Sequence, residues 1–216
     1  MENLSIMSTG AIASGVLSLI CLLALHIASP EFKPGWRMVS EYALGRHKWL
    51  LTGMFVLWGL CSGLTAFLLW NVVTTKWAMF GTVLVFISGI GALMGGLFDV
   101  KHKYHGLSFM LGVPALPVGA LIVSYHLIQK SSWVFYRSEM LWSAHALWIS
   151  VVLMAVSMAL LFSGFKKAGI PLDKNAEPPE TLPKGVIGIN GYFNRLLILC
   201  YINWLVMCSV LYQFMI

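Results

Sequence analysis

Charged residues in this chain are confined to a few short stretches, and long apolar runs lie between them. None of the 22 formally charged side chains falls within residues 3–30, 49–75, 77–98, 104–129, 140–165 or 196–216. Each of these six windows can hold the ~20 apolar residues that cross a ~30 Å hydrocarbon core. Backbone amides in lipid have no water to pair with, and segments this long and this apolar are helices rather than barrel strands. The pattern therefore predicts an all-α fold, a polytopic membrane protein built as a six-transmembrane-helix bundle. Its helices are expected at 8–29, 49–70, 77–98, 106–127, 141–163 and 196–216, in one integral membrane domain over residues 1–216.

The segments between the helices differ in kind. Residues 30–48 form a long basic and aromatic loop, in which Ser40 to Leu44 predict a short interfacial helix with Ser40 as N-cap and Gly45 as a left-handed terminator. Residues 71–76 and 99–105 are tight turns. Trp133, Phe135 and Tyr136 suit the opposite membrane interface. Residues 164–195, with four prolines and mixed charge between Lys166 and Gly185, predict a flexible loop. Pro114 and Pro117 must interrupt the hydrogen bonding of the fourth helix. Gly59 and Gly63 in helix 2, and the stripe Ser88, Gly89, Gly91, Ala92, Gly95 and Gly96 in helix 3, allow close helix approach. That stripe places helix 3 near the centre and offers a surface for an oligomer.

Composition agrees with this reading and narrows it. Hydrophobic residues make up 59% and charged residues 10% of the 216, against roughly 45–50% and about 25% in soluble domains. A soluble domain, a disordered chain and a secreted disulfide scaffold are excluded. Cys21, Cys61, Cys200 and Cys208 all fall inside predicted helices and read as small apolar packers. The first helix has no basic residues before it and no small-residue cleavage context, so it is expected to be retained. Eleven Lys and Arg residues lie in the loops joining helices 1–2, 3–4 and 5–6, and three lie on the other side. Those three loops are expected in the cytoplasm, with both termini extracytoplasmic, in the cell (inner or plasma) membrane. The net charge of +6 then belongs at a membrane surface, with membrane lipids as partners and no nucleic acid.

The candidate chemistry gathers at the same end. Asp99 closes helix 3 and His105 opens helix 4, across the turn DVKHKYH. Each sits at the helix end that disfavours its charged form, so the two either pair with each other or serve a ligand, a proton or a metal. Ser40, Glu41, Tyr42 and Arg37 from the first loop, His26 near the end of helix 1, and Lys101 are expected beside them. The expectation is one convergent site, with Asp99, His105 and Ser40 as catalytic candidates. Glu41, Tyr42, His26, Arg37 and Lys101 would bind ligand. A structural hydrogen-bond knot of the same residues is the alternative, and carries equal weight. Asp99, His102 and His105 have a spacing compatible with a divalent metal such as zinc, although Lys101 and Lys103 interleave them. At the other end, His126 and His145 read as interfacial histidines, with a facing haem pair or proton relay as the alternative.

The run Ser40-Glu41-Tyr42-Ala43-Leu44-Gly45, the stretch GALMGGLFD from Gly91 to Asp99, His105 before a proline-bearing helix, and Arg195-Leu196-Leu197 together resemble domain-of-unknown-function family 998. That resemblance covers nearly the whole chain and implies a six-helix integral membrane fold, with little about activity. A remoter similarity, of Ser40, Asp99 and His105, is to the alkaline ceramidase and adiponectin-receptor superfamily. It implies zinc-dependent lipid amidase chemistry. This chain departs from it in having six helices and no histidine in the last one. Three functions follow as expectations: a binder of lipid or another amphiphile, a membrane-embedded lipid ester or amide hydrolase, and a small transporter.

Overall fold

The computed structural model describes residues 2–171, 179 and 181–215. It contains α1 (Glu2–Ala28), α2 (Lys48–Trp70), α3 (Lys76–Leu97), α4 (His105–Gly112), α5 (Ala115–Leu127), α6 (Arg137–Lys167) and α7 (Asn190–Gln213). Among the described residues there is no strand. With α4 and α5 counted as one crossing, six helical segments are long and apolar enough to span a membrane. The fold is the expected all-α, six-span bundle.

Proline accounts for the α4–α5 break. Pro117 has no N–H to donate to the carbonyl of Val113, four residues earlier, so the helix interrupts there. The freed Val113 carbonyl accepts a hydrogen bond from the Tyr201 hydroxyl of α7. At the start of α3, the Thr75 side chain accepts from the Ala78 amide and caps the helix.

Helix neighbours are α1 with α2 and α7, α2 with α3 and α7, α3 with α4 and α5, and α6 with α5 and α7. The most enclosed span is α7 rather than α3, because Tyr201, Trp204 and Leu205 fill the middle of the bundle. The glycines of α3 are spent on neighbours within the chain. A methyl group at Gly91 would lie 2.3 Å from the Gly112 amide nitrogen, and one at Gly59 would lie 2.9 Å from the Gly89 carbonyl. These contacts bring α3 against α4 and α2 at backbone distance.

Several local expectations are corrected. The first loop contains a 3-10 turn, Val39–Leu44, whose N-cap is Met38 rather than Ser40. Gly45 is extended (φ −94°), and it is glycine because a side chain there would meet the Phe32 ring at 2.8 Å. Trp133 is buried, while Phe135 is exposed. Of the loop expected to be flexible at 164–195, residues 164–167 complete α6 and 190–195 begin α7. Leu182 and Val186 pack against Trp36, Leu161 and Phe165. Residues 172–178 and 180 lie outside the described residues.

Candidate functional site

The end of the bundle that carries the first loop holds nearly all the polar side chains singled out by sequence. The loop is pinned at its ends by Ser29 Oγ and His47 Nδ1, 3.0 Å apart. Its middle folds under α7. The Gly191 amide donates to the Gly35 carbonyl (3.0 Å), and the Val39 amide donates to Asn194 Oδ1 (2.8 Å). A side chain at Gly191 would strike the Pro34 carbonyl at 2.3 Å, so only glycine lets the start of α7 rest on the loop.

One turn later, Arg195 is 8% exposed and gathers three separate segments. Its Nε donates to His26 Nε2 (2.6 Å), its Nη1 to the carbonyls of Arg37 (2.7 Å) and Gly191 (2.9 Å), and its Nη2 to the Tyr42 hydroxyl (3.3 Å). His26 Nδ1 lies 2.6 Å from the Leu22 carbonyl. A carbonyl can only accept, so Nδ1 carries the proton and Nε2 the lone pair that Arg195 uses. Beside this knot, Arg37 Nε and Glu41 Oε2 are 2.8 Å apart. Their angles are not those of a hydrogen bond, and both atoms lack a hydrogen-bond partner among the described residues. Burial pushes the Glu41 carboxyl above its ordinary range, against the opposing pull of the Met38 amide and of Arg37 and Arg195.

The turn after α3 sends its residues in different directions. Asp99 Oδ2 accepts from Lys48 Nζ (3.2 Å), and its Oδ1 accepts from the Lys101 amide (3.1 Å). The hydrogen bond from Lys48 holds the Asp99 carboxyl below the usual carboxylate range. Lys101 itself is exposed. His102 stacks on Phe98 with ring centroids 4.5 Å apart, and its Nδ1 accepts the Tyr104 amide. His105 points inward. Its Nδ1 donates to the Phe98 carbonyl (3.0 Å), so Nε2 is the lone-pair nitrogen.

His105 lines a cavity of about 90 Å³ between α2, α3, α4, α6 and α7. Ser40, Ser108 and Asn194 line it at the first-loop end, and Phe55, Trp58, Ser88 and Ile198 line it further in. At 1.5 Å per residue, Trp58 and Ser88 lie roughly 15 Å along α2 and α3 from that end, near mid-membrane. Most of the wall is apolar, with a few convergent polar groups, which is the usual character of a small-molecule site. Asn194 Nδ2 faces the Met154 sulfur at 3.4 Å, a weak acceptor.

The expected single site thus divides into three. Ser40 and His105 share the cavity. Asp99 and Lys48 form a pair at the surface. Tyr42 and His26 hold Arg195, with Arg37 and Glu41 paired beside them. The three metal candidates are not drawn together: Asp99 is bound by an ammonium, His102 stacks on Phe98, His105 lines the cavity, and no three His, Cys, Asp or Glu among the described residues are placed around one ion. At the opposite end, His126 bonds to Thr74 and His145 to Tyr125 and Trp148, and the two do not bond to each other.

Arg195, Trp58, Ser88 and Asn194 were not among the sequence candidates. Arg195 had a usable signal, since it is a charge set among apolar and aromatic residues opposite a polar loop. Trp58 and Ser88 had none, because whether a polar atom lacks a partner depends on its tertiary neighbours.

Residues 12–211 match the family described as "Protein of unknown function (DUF998)", and the chain belongs to that family. No curated protein and no solved structure matches it, so the likeness to ceramidases and adiponectin receptors has no support there.

Proposed function

We propose that this membrane protein binds an amphiphilic small molecule in the cavity between α2, α3, α4, α6 and α7. The polar group of that molecule would sit beside Ser40, His105 and Asn194, and its apolar body against Phe55 and Ile198. The observation that carries this reading is the cavity itself, apolar over most of its wall and polar at one end. The eleven-to-three distribution of basic residues argues that the polar end faces the cytoplasmic leaflet, where Lys33, Arg46 and Lys103 would favour anionic headgroups nearby.

A fatty acid bearing a photoreactive diazirine, incorporated with the protein into vesicles, tests the proposal. Labelling is expected on Phe55 and Ile198, and it should vanish in Gly95→Leu, whose side chain fills the cavity beside the Phe55 ring. Labelling confined to lipid-facing residues such as Phe86, unchanged by Gly95→Leu, would end the reading.

One observation favours a second reading, hydrolysis of an ester or amide. Ser40 and His105 line the same cavity, and the His105 tautomer leaves Nε2 able to take a proton. Under that reading a fluorophosphonate would label Ser40 and would fail to label a His105→Ala protein.

A further inference from the structure

Among the described residues four buried neutral side chains, Trp58, Ser62, Ser88 and Asn190, have polar atoms without a partner, and of these Trp58 and Ser88 line the cavity while Ser62 and Asn190 do not. Ser14, Ser108 and Ser209 each return a hydrogen bond to the carbonyl one turn back, and the deeply buried Trp204 donates its indole N–H to Ser124 Oγ (3.1 Å). Trp58 is 6% and Ser88 2% exposed, yet neither Trp58 Nε1 nor Ser88 Oγ has a partner among the described residues. Both residues line the inner part of the cavity. They flank the point where α2 and α3 touch through Gly59 and Gly89, so their backbones are fixed and cannot swing apart to find partners elsewhere.

An indole N–H can only donate, and a serine hydroxyl donates or accepts. A saturated alkyl chain in the cavity would leave the Trp58 N–H unpaired and the Ser88 hydroxyl with only the carbonyl one turn back to turn to. A carbonyl oxygen has two lone pairs and can accept from both. No charged residue of α2 or α3 lies near this depth, so a carboxylate or phosphate would enter without a counter-ion. We infer that the inner end of the cavity, at Trp58 and Ser88, recognises an uncharged carbonyl oxygen. The ligand class is therefore an amphiphile that carries a ketone, ester or amide oxygen within its buried portion. This rests on the proposed cavity reading and specifies which amphiphile it takes.

Cyclohexanone and methylenecyclohexane differ only in an oxygen replaced by a methylene, so the pair isolates that recognition. Binding of each to the full chain in detergent is followed by the indole N–H resonance of Trp58, assigned by its loss in Trp58→Phe. Cyclohexanone is expected to bind about tenfold more tightly and to move that resonance downfield. In Trp58→Phe and in Ser88→Ala, followed by the resonances of other cavity residues, the preference should shrink to about twofold or less while methylenecyclohexane binds as before. Equal affinity of the two probes for the unmodified chain overturns the inference and leaves the cavity reading intact. A ketone preference that survives both substitutions also overturns it, because the oxygen is then read elsewhere. Binding of neither probe sinks the cavity reading, and the inference with it.

Discussion

Around Arg195, four donated hydrogen bonds meet acceptors from α1, the first loop and α7 itself, and the guanidinium lies over the Tyr42 ring. Around Trp58 and Ser88, at mid-membrane in the same bundle, two buried polar atoms have no hydrogen-bond partner among the described residues. The first cluster contains a full charge and the second only neutral groups, so desolvation alone would rank them the other way round. What separates them is completion. A buried cation with its donors matched ties segments together, and removing it takes a donor from four acceptors. A buried donor left unmatched costs about 1–3 kcal/mol, and one that lines a cavity can recover that cost from a bound molecule. The Arg195 cluster therefore reads as architecture and the Trp58 cluster as recognition.

The sharpest way to break that contrast is to delete the centre of each. Arg195→Met should produce the largest loss of stability, on the order of 3 kcal/mol or more, because hydrogen bonds to a buried charge contribute about 1.5–3 kcal/mol each and several go at once. Trp58→Phe keeps an aromatic ring against Phe55 and Tyr201, and removes the unmatched donor together with part of the buried ring. Loss of that volume costs on the order of 1 kcal/mol and relief of the unmatched donor offsets part of it, so the net loss should be well below that of Arg195→Met. Thermal unfolding in detergent compares the two. A small loss at Arg195 together with a large one at Trp58 would reverse the assignment.

A finer test lies at the edge of the Arg195 cluster, where Glu41 is half-buried beside Arg37. Burial raises its folded pKa above the ordinary 4.5, so the folded chain holds that proton more tightly than the unfolded one. The associated stability is fully present below about pH 4.5 and is lost as pH rises through the folded value. Glu41→Gln can still accept the Met38 amide bond (2.8 Å). Relative to the unmodified chain, it should therefore gain stability as pH rises through that window. If Glu41→Gln is instead less stable at neutral pH and equal at pH 4, the attraction of Arg37 outweighs burial, and Glu41 belongs to the matched cluster.

How far the sequence could foretell this division depends on the kind of interaction. The spans were legible because charge is absent over whole membrane thicknesses, and the α4–α5 break because Pro117 removes a specific donor. The start of α7 was placed at 196 rather than Asn190, since Arg195 reads as a flanking charge until the loop that satisfies it is seen beneath it. The ends of α6 run past the apolar window, from Arg137 to Lys167, because charged side chains there can reach water while the backbone stays helical. For the site, the short turn after α3 guaranteed that the backbones of Asp99 and His105 are near each other. It said nothing about side-chain direction, and one faces Lys48 while the other faces the cavity. Ser40 and His105 line one cavity, since both lie at the same bundle end and border the gap between α3, α4 and the first loop.

The smallest expected effect concerns Asp99, and it decides whether that residue belongs to either cluster. Its partner Lys48 is 45% exposed and Asp99 itself 34%. Pairs this open contribute about 0–1 kcal/mol and are screened by salt. The sign is opposite to that of Glu41. The Lys48 hydrogen bond depresses the folded pKa below the ordinary 3.8, so the stability it contributes is present above that value and is lost as pH falls through the folded one. Asp99→Asn should therefore cost a fraction of a kcal/mol at neutral pH and low salt. That loss should fade in about 1 M salt, where the Debye length shrinks to about 3 Å, and should disappear at acid pH. Labelling of Phe55 by the photoreactive fatty acid should be unchanged, because Asp99 does not line the cavity. A loss of labelling with stability intact would show that the carboxylate reaches the ligand, and would return Asp99 to the site with His105 that the sequence led one to expect.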